Sequence, residues 1–519
     1  MGTKGKLTIR NAVSRHFLAK QLSVAGQRVQ KALVLGLYGN CECHVNGTLW
    51  SLICEQNHQE WVLEFGALNQ EGKLSWMERP QDYVQRRVEE RGVRLIRLWF
   101  TDVQGQLKSF AISPAELETA FENGMIFDGS SIDGFSRVRE EDMVARPDPA
   151  TFELMRWGGN DENAARMFCD IERADGSPFP GDSRQVLRRS MERAHAEGFT
   201  FFTAPELEYF LFEADRNGEP VPLDNGSYFD LTTADVASSI RRQTLTTLEA
   251  MGIPVEYSFH EDAPSQHEID LRYTDALTMA DNVMTFRLIV REIALEHGVH
   301  ATFMPKPLTG VQGSGMHTHL SLFRDGVNAF HDPESPDGLS EIARGFIAGL
   351  LHHAREITAV TNQLVNSYKR LVAGYEAPVN VSWARANRAA LIRVPTSREG
   401  GVDDTTRIEY RAPDPACNPY LAFAVMLAAG MKGIEQGYEL PLEAPPSMTG
   451  FTEHGGLIDQ AQLPQSLDEA LDEMEKSDLV ADTLGDHLFS WFLRNKRREW
   501  NDYKAQVTPF ELDRYYSNL

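Results

Sequence analysis

Alternating apolar and polar residues mark the part of the chain whose periodicity is clearest. After a short helical pattern, residues 94–113 (RLIRLWFTDVQGQLKSFAIS) alternate on both sides of Gly105, as the two strands of a β-hairpin do. The next segment, SPAELETAF, favours a helix with Ser113 as its N-cap. We therefore predict a small α+β domain over residues 81–175.

A second unit follows a turn-rich stretch over residues 175–184 (DGSPFPGDSR), which we interpret as a linker. Beyond it, helical segments such as RQVLRRSMERAHAEG alternate with strand-like segments such as TFFTAPELEYFLF, QHEIDLRY and MHTHLSLF. Several of these strands carry carboxylates or histidines at i, i+2 spacing, which suits a curved antiparallel sheet that lines a site. The pattern predicts a larger α+β domain over residues 176–519.

Composition narrows the class of protein. The net charge of -24 at pH 7 argues against a nucleic-acid partner, because binding a polyanion needs clustered basic surface. No stretch reaches the roughly 18 apolar residues of a membrane span, so no membrane partner is expected. The five cysteines form no CxxC pair, which predicts a reducing compartment and no zinc site. We expect a cytoplasmic protein.

The first 80 residues form an extension of unknown role. Residues 1–41 contain seven Lys or Arg and no Asp or Glu, a composition similar to that of an organelle transit peptide. A start assigned too far upstream is the alternative, because Met77 opens a segment with a helical pattern. We assign this extension no chemistry.

Glutamates at strand spacing are the first candidates for chemistry. Glu206 and Glu208 lie in PELEYF, so a strand would point both toward one face of an otherwise apolar segment. HEIDLR and RIEYR repeat this same-face pattern. A solvated strand face is the ordinary interpretation, but buried like charges either raise the pKa of one group strongly or need a cation to compensate them. Several carboxylate ligands in an apolar sheet favour Mg2+ or Mn2+. Two such ions could neutralise phosphate oxygens during phosphoryl transfer.

Two further patterns suit the binding of anions. Residues 306–323 (KPLTGVQGSGMHTHLSLF) join a glycine-rich turn, whose backbone could approach a ligand closely, to His317 and His319 on one strand face. Arginines are dense between residues 370 and 411, and guanidinium groups match carboxylate and phosphate oxygens two bonds at a time. Ordinary histidines and salt bridges to acidic helices are the respective alternatives.

Six motifs together resemble glutamine synthetase of the class I bacterial type. They are FDGSSIDGF, PELEYF, HEDAPSQHEIDLRY, KPLTGVQGSGMHTH, NSYKRLVAGYEAPV and RIEYRAPDPACNPYLAF, and the resemblance covers about residues 82–519. It implies an N-terminal β-grasp domain followed by a larger catalytic α+β domain with a curved antiparallel sheet. It also implies a homo-oligomer, a dodecamer of two hexameric rings with active sites between subunits. The implied reaction joins L-glutamate and ammonia with ATP through a γ-glutamyl phosphate, giving L-glutamine, ADP and phosphate.

The resemblance also implies a role for individual residues. One metal ion would be held by Glu208, Glu261 and Glu268, and a second by Glu206, His317 and Glu409. ATP would be bound by Glu256, His319, Ser321, Arg388, Arg393 and Arg407. Glutamate would be held by Gln312, Gly313, Arg370, Glu376 and Arg411. Ammonium would be bound by Asp128 and Ser131 of a neighbouring subunit. The catalytic residues would be Asp128 as base, Glu376 closing the site and Arg388 beside the phosphates.

The sequence departs from the family pattern at Gln312, where asparagine is usual, and at Ala373, where proline is usual. A γ-glutamylamide ligase, which joins glutamate to a polyamine, ethanolamine or another amine, would share the metal, ATP and glutamate motifs. We expect ammonia as the acceptor because Asp128 and Ser131 match the ammonia-using pattern. A catalytically inactive relative would be expected to lose metal ligands, and all six are in place.

Overall fold

A computed structural model describes the backbone of six short strands between residues 5 and 75 and, with side chains, most of the chain from residue 79 onward. The side-chain ranges are 79–130, 132, 142–157, 163–213, 220–231, 236–396, 405–445 and 461–519. Most of the basic start over residues 1–41, Met77 and the side chain of Ser131 lie outside the described residues. The chain divides into two compact units, Met1–Arg86 and Arg87–Leu519.

The first unit contains an antiparallel sheet in the order β1-β2-β3-β4 and a separate two-stranded ladder of β5 and β6. The strands are β1 (Gly5–Leu7), β2 (Asn40–Asn46), β3 (Leu49–Gln56), β4 (Gln59–Glu64), β5 (Ala67–Leu68) and β6 (Leu74–Ser75). Helix α1 (Pro80–Arg91) follows and continues into the second unit.

The second unit begins with a small sheet in the order β8-β7-β12-β10-β9, in which β11 also pairs with β12. The elements are β7 (Leu95–Thr101), β8 (Leu107–Ile112), α2 (Leu117–Asn123), β9 (Met125–Asp128), β10 (Asp142–Pro147), β11 (Glu153–Leu154) and β12 (Ala164–Arg173). The predicted hairpin of β7 and β8 is confirmed, and Gly105 in its turn has a φ of 78°. A Cβ at Gly105 would lie 2.8 Å from Asn418 Cα, so glycine lets the turn approach the following domain closely.

One local prediction is wrong. Ser113 is extended (φ -77°, ψ 155°), but its side chain makes no capping hydrogen bond. A 3-10 turn over Pro114–Glu116 precedes α2, so the α-helix begins later than the pattern predicts. The tighter turn changes which amide groups lie near Ser113.

A ten-stranded sheet forms the centre of the larger domain. Its main order is β14-β15-β13-β18-β22-β21-β20, with β16 and β17 paired to β13 and β19 paired to β18. All described pairings in it are antiparallel except that of β20 with β21. The strands are β13 (Thr200–Glu213), β14 (Val255–His260), β15 (Gln266–Leu271), β16 (Thr274–Asp275), β17 (Val299–Thr302), β18 (Thr318–Arg324), β19 (Val327–Asn328), β20 (Trp383–Ala384), β21 (Ile392–Arg393) and β22 (Ile408–Tyr410).

Helices cover this sheet and supply most of the apolar core. They are α3 (Ser183–Ala196), α4 (Val236–Ala250), α5 (Ala276–Glu296), α6 (Glu341–His352), α7 (Ala354–Thr361), α8 (Ser367–Arg370), α9 (Pro419–Gln436), α10 (Leu467–Glu475), α11 (Asp478–Leu484), α12 (Asp486–Lys504) and a last turn over Pro509–Glu511. Helices α3 and α5 pack on β13. Helices α6 and α9 cross closely at Gly349 and Gly433, where an added Cβ would overlap backbone atoms of the other helix.

Two further observations complete the fold. The stretch predicted as a linker is anchored, because Phe179 is buried and Asp182 caps α3 through the amide of Arg184. Among the described helices, none has the length and apolar content needed to cross a membrane.

Candidate active site

The acidic strands meet on one face of the ten-stranded sheet. Strands β13 and β15 pair so that Glu206 lies opposite Asp270 and Glu208 lies opposite Glu268. Directly opposed like charges destabilise a sheet, yet Glu208 and Glu268 are both buried. The register therefore concentrates negative charge where the apolar flanks of β13 exclude water.

Two histidines border this face on the β18 side. The Nε2 of His319 lies 2.7 Å from Glu206 Oε1, and the Nδ1 of His317 lies 3.1 Å from Glu206 Oε2. His317 Nδ1 is also 3.8 Å from Glu409 Oε1 and 4.0 Å from Glu208 Oε1. His317 lies one residue before β18. In the sheet β18 lies between β13, which carries Glu206 and Glu208, and β22, which carries Glu409. These contacts confirm that Glu206 and Glu208 face the same way.

Charge is distributed unevenly across the face. Burial opposes the ionisation of Glu206, but His319 and His317 outweigh it and hold the pKa of Glu206 well below its usual range. Burial raises the pKa of Glu268 well above its usual range, and the neighbouring Asp270 adds to this effect. Burial and Glu206 raise the pKa of Asp270 to about 8. The β15 side thus holds carboxylates that lack enough positive charge nearby.

The donor set fits divalent metal ions. Ligand atoms of Glu206, His317 and Glu409 all lie within 4.8 Å of one another, as do those of Glu206, Glu268 and Asp270. The Oδ1 of Asp270 is buried and has no hydrogen-bond partner within the described part of the chain. A buried acceptor without a donor is costly unless a cation satisfies it. Five carboxylates and one imidazole provide the oxygen-rich ligands that Mg2+ and Mn2+ prefer.

The structure brings one of the two predicted sets of metal ligands together as a single cluster, but not the other. The set of Glu206, His317 and Glu409 forms one cluster, while Glu268 groups with Glu206 and Asp270. Against the effect of burial, Glu268 lowers the pKa of Glu261; Glu261 in turn raises the pKa of Glu208. Glu206 lies between the two groups, which suits a ligand near both ions.

Two arginines frame Glu409 and a third lies on the opposite wall. Arg393 Nη1 donates to Glu409 Oε2 at 2.7 Å, and Arg411 Nη1 donates to Glu409 Oε1 at 3.0 Å. Arg370 is buried and donates to the carbonyls of Ala412 and Arg411 at 2.7 and 3.1 Å. Its guanidinium is therefore fixed in direction beside the carboxylates.

A small cavity of about 30 Å3 separates the Arg370 wall from the carboxylates. Its lining includes Glu208, Glu261, Gln312, Gly313, Arg370 and Glu376. An added Cβ at Gly313 would lie 2.2 Å from the carbonyl oxygen of Pro305, which explains the glycine there. Gln312 donates to Asp262 at 3.0 Å. Arg411 Nη2 reaches the carbonyl of Glu376 at 3.4 Å. Four of the five residues predicted to bind the substrate glutamate thus line one cavity, and Arg411 contacts its edge.

A second cavity of about 280 Å3 lies on the other side of Glu206. It is lined by four of the residues predicted to bind ATP, namely Glu256, His319, Ser321 and Arg407. Tyr257 and Tyr273 also line it, and both are more than half exposed. Exposed aromatic rings beside a cationic group suit a planar base. Arg393 and Arg388 are not among the residues that line this cavity.

Comparisons with known proteins agree with this geometry. The family model described as glutamine synthetase, catalytic domain, matches residues 180–515, and that of the glutamine synthetase β-grasp domain matches residues 92–174. The glutamine synthetases of Mycolicibacterium smegmatis and Methanosarcina mazei are 56% and 51% identical to this chain. These alignments span 85% and 83% of this chain and 100% and 96% of theirs. The solved structure titled "GmaS/ADP complex-Conformation 1" has a TM-score of 0.76 at 30% identity, over 84% of this chain and 99% of that chain.

The chain belongs to the glutamine synthetase family. The resemblance predicted from the motifs is confirmed, as is the fold of a β-grasp domain followed by a larger catalytic domain. The activity is that of a ligase, the ATP-dependent synthesis of glutamine from glutamate and ammonia.

The outer part of this glutamine synthetase site holds an exposed ion pair. Arg388 Nη1 lies 3.1 and 3.2 Å from the two carboxylate oxygens of Glu376. The Arg388 guanidinium also lies 5.8 Å from the ring centroid of Tyr228, which is part of an aromatic cluster with Phe229 and Phe259. Arg388 and Glu376 therefore stand at the mouth of the site.

Asp128 lies apart from the metal-binding face. It ends β9 at the edge of the small sheet, is exposed, and accepts a hydrogen bond from the amide of Ser130 at 3.0 Å. Its side chain is thus held in place by the turn that follows it. Its role in a neighbouring subunit's site stays a prediction.

The sequence analysis missed Gln266 and Tyr228, and it placed Asp270 on the acidic strand face of HEIDLR without assigning it as a ligand. Gln266 is buried and donates to Glu208 Oε2 at 2.7 Å, and Asp270 belongs to a cluster of possible metal ligands. Both flank Glu268 at i, i+2 spacing in QHEIDL, so the strand pattern carried a signal for them. Tyr228 lies in a loop, where no periodic signal points to it.

Proposed function

We propose that this glutamine synthetase binds two or more divalent ions, Mg2+ or Mn2+, on the face that carries Glu206. Glu208, Glu261 and Glu268 would hold one ion, and Glu206, His317 and Glu409 the other. The observation that carries this proposal is the position of Glu206 between two groups of ligand atoms. The ions, when bound, would neutralise the oxygens of the phosphoryl group in transfer.

The two cavities support an assignment of the substrates to opposite sides of Glu206. We assign ATP to the larger cavity, where it would meet Glu256, His319, Ser321 and Arg407. Glutamate would bind at the smaller cavity, which would have to widen to hold it, with Arg370 and Arg411 beside its carboxylates and Gly313 in the wall. This arrangement would direct the γ-carboxylate toward the terminal phosphate of ATP, forming a γ-glutamyl phosphate.

The arginines and outer residues would complete the reaction. Arg393 and Arg388 would stabilise negative charge on the phosphates. Asp128, with Ser131, would bind ammonium from a neighbouring subunit and take a proton from it, because a carboxylate attracts a cation and can deprotonate it to the nucleophilic amine. Glu376 would close the site and keep water from the acyl phosphate.

The assembly, boundaries and location belong to the same proposal. We propose a dodecamer, supported by the exposed apolar tail in which Phe510 and Tyr516 are 64% and 85% accessible. A native mass near twelve times that of one chain would test this. We propose domains over residues 1–80, 81–175 and 176–519, and a cytoplasmic location where ATP and glutamate are supplied.

The experiment that tests the function measures glutamine formation and phosphate release with ATP, glutamate and either Mg2+ or Mn2+. Ammonium, putrescine, spermine and ethanolamine are supplied in turn as the acceptor. We expect one phosphate per glutamine with ammonium. Turnover with an organic amine but not with ammonium would identify a γ-glutamylamide ligase instead.

A further inference from the structure

Lys306 is held rigidly at the edge of the glutamate cavity. Its amide donates to Asn366 Oδ1 at 2.7 Å, and Asn366 Nδ2 donates back to the carbonyl of Lys306 at 3.1 Å. Asn366 immediately precedes α8, the short helix that ends at Arg370. The backbone of Lys306 is therefore tied to the element that positions the buried arginine.

The side chain of Lys306 joins two other segments of the same cavity wall. Its Nζ donates to the carbonyl of Val311 in the glycine-rich loop, residues 309–315. The same Nζ lies 3.8 Å from the ring centroid of Tyr375, which belongs to residues 372–377, here named the flap. Gln312 and Gly313 of the loop and Tyr375 and Glu376 of the flap all line the cavity. One ammonium group thus contacts both sides of the cavity entrance.

The glycine-rich loop has other anchors, and these point toward the metal face. Gln312 donates to Asp262, and Gln266 Nε2 donates to the carbonyl of Gly313 at 3.2 Å. Gly374 in the flap has a φ of 94°, a conformation that glycine adopts without strain. Lys306 therefore attaches a flap with a glycine turn to a loop that is already fixed.

A contact of this kind has useful strength. A cation over an aromatic face contributes about 0.5–2 kcal/mol, more when it is desolvated. Burial, together with the charge of Arg370, lowers the pKa of Lys306. A partly buried ammonium that donates to a carbonyl and faces a ring gains more from these two partners than it would in water.

We propose that Lys306 is a positioning residue that holds the flap against the glycine-rich loop, so that the γ-glutamyl phosphate meets the amine before it meets water. This inference rests on the proposed function. In the side reaction that it prevents, the oxygen of water bonds to the γ-carbonyl carbon, and the carbon–oxygen bond to phosphate breaks. Glutamate and phosphate are released with a proton, and the net result is hydrolysis of ATP without glutamine.

The test compares phosphate released with glutamine formed in purified full-length variants. Lys306→Met keeps the apolar stem of the side chain and removes its charge. We expect glutamine formation to fall about tenfold and the phosphate-to-glutamine ratio to rise from about one to two or more, because an open flap admits water. Tyr375→Leu, which removes the ring, should raise the ratio in the same way even if Lys306→Met folds poorly.

Conservative variants separate positioning from general damage. Lys306→Arg keeps a cation and a donor, and Tyr375→Phe keeps the ring, so both should retain a ratio near one. The matched control is Arg324→Met, which removes a cation 4.2 Å from the ring centroid of Phe199, away from the flap. Its ratio should also stay near one.

Three results would overturn the inference. If Lys306→Met and Tyr375→Leu keep a ratio near one, Lys306 does not control access of water. If Lys306→Met raises only the KM for glutamate, Lys306 is a substrate contact. If Tyr375→Phe uncouples as strongly as Tyr375→Leu, the hydroxyl and not the ring is what matters. Absence of glutamine synthesis by the unaltered enzyme would instead refute the proposed function.

Discussion

Two buried groups of carboxylates in the second unit differ in how their charge is balanced. In the first, Arg184 donates to Asp281 at 3.0 and 3.1 Å, to Asp170 at 2.6 Å and to Asp148 at 2.9 Å. Tyr420 adds a hydrogen bond to Asp281 at 2.6 Å. These contacts join strand β12 and the end of β10 to helices α3 and α5, so the charges serve the fold.

The second group is the metal-binding face, where Glu268 and Asp270 lie with Glu206 and Glu208 on paired strands. Burial raises the pKa of Glu268, and it raises that of Asp270 to about 8 with help from Glu206. Both groups are acidic and buried, but among the described residues Glu268 and Asp270 have no arginine partner of the kind that Arg184 provides in the first group. The difference teaches that buried carboxylates alone do not indicate a metal site, whereas buried carboxylates without sufficient cations do.

The largest expected effect concerns the metal-binding face. Glu206→Ala and Glu208→Ala should each lower glutamine synthesis about a thousandfold or more, because each removes a ligand of a different ion. The fold should persist, because each substitution also removes one negative charge from a face where like charges lie close together. Mn2+ titration calorimetry should show loss of a different binding step in each variant. Unchanged Mn2+ binding in both would contradict the assignment.

The carboxylates that Arg184 binds, here named the Arg184 group, should respond in the opposite way: a substitution there should lower stability and leave activity unchanged. Asp281→Ala should lower the free energy of unfolding by about 3–5 kcal/mol, because it leaves a buried guanidinium without its two-bond partner. Urea denaturation measures this, and the folded fraction should keep its activity per molecule. The control is Asp468→Ala, which removes a partner of Arg497 at the surface and should cost less than about 1 kcal/mol.

Removing the metal should expose a dependence of stability on pH. A carboxyl group whose pKa is raised by folding holds its proton more tightly in the folded state, so its stabilisation is full below the unfolded pKa and is lost as pH rises through the folded pKa. For Asp270 this interval runs from 3.8 to about 8. Asp270 should therefore contribute a loss of about 4 kcal/mol between pH 5 and 9 in chelator-treated protein, and saturating Mn2+ should abolish that contribution.

A control is needed because Asp182, beside the Arg184 group, has its pKa raised to about 7 by burial and by Asp170. It contributes a loss of the same sign. Asp270→Asn removes only the part that Asp270 contributes, and leaves those of Glu268 and Asp182. If this variant shows the full pH dependence of the unaltered chain, the uncompensated charge lies elsewhere.

The smallest effect is expected at the rim of the Arg184 group. Arg188 lies 3.0 Å from Asp170 Oδ2, but its side chain is 33% accessible. Arg188→Ala should lower the free energy of unfolding by less than about 1 kcal/mol, because water replaces the guanidinium. Thermal denaturation beside Asp281→Ala would measure the contrast. A loss as large as that of Asp281→Ala would show that burial does not distinguish the two arginine positions.

The sequence by itself determined the features that repeat locally. Strand periodicity put Glu206 and Glu208 on one face, because side-chain direction along a strand depends only on neighbouring residues. The six motifs identified the family and a two-domain fold. The same spacing placed Asp270 on the face of Glu268 without assigning it as a ligand, and it also contained Gln266, which was not recognised. Ser113 occupies the N-cap position of a 3-10 turn that precedes the α-helix, but its side chain makes no capping hydrogen bond.

Only the tertiary structure decided which distant groups meet. The register that sets Glu208 opposite Glu268 joins strands separated by about 60 residues, and the contacts of Tyr228 with Arg388 and of Lys306 with Tyr375 join irregular loops. Loops have no periodicity from which a partner can be inferred. The balance of charge in the two buried groups likewise depends on these long-range contacts, which is why similar carboxylates serve the fold in one place and suit metal ions in the other.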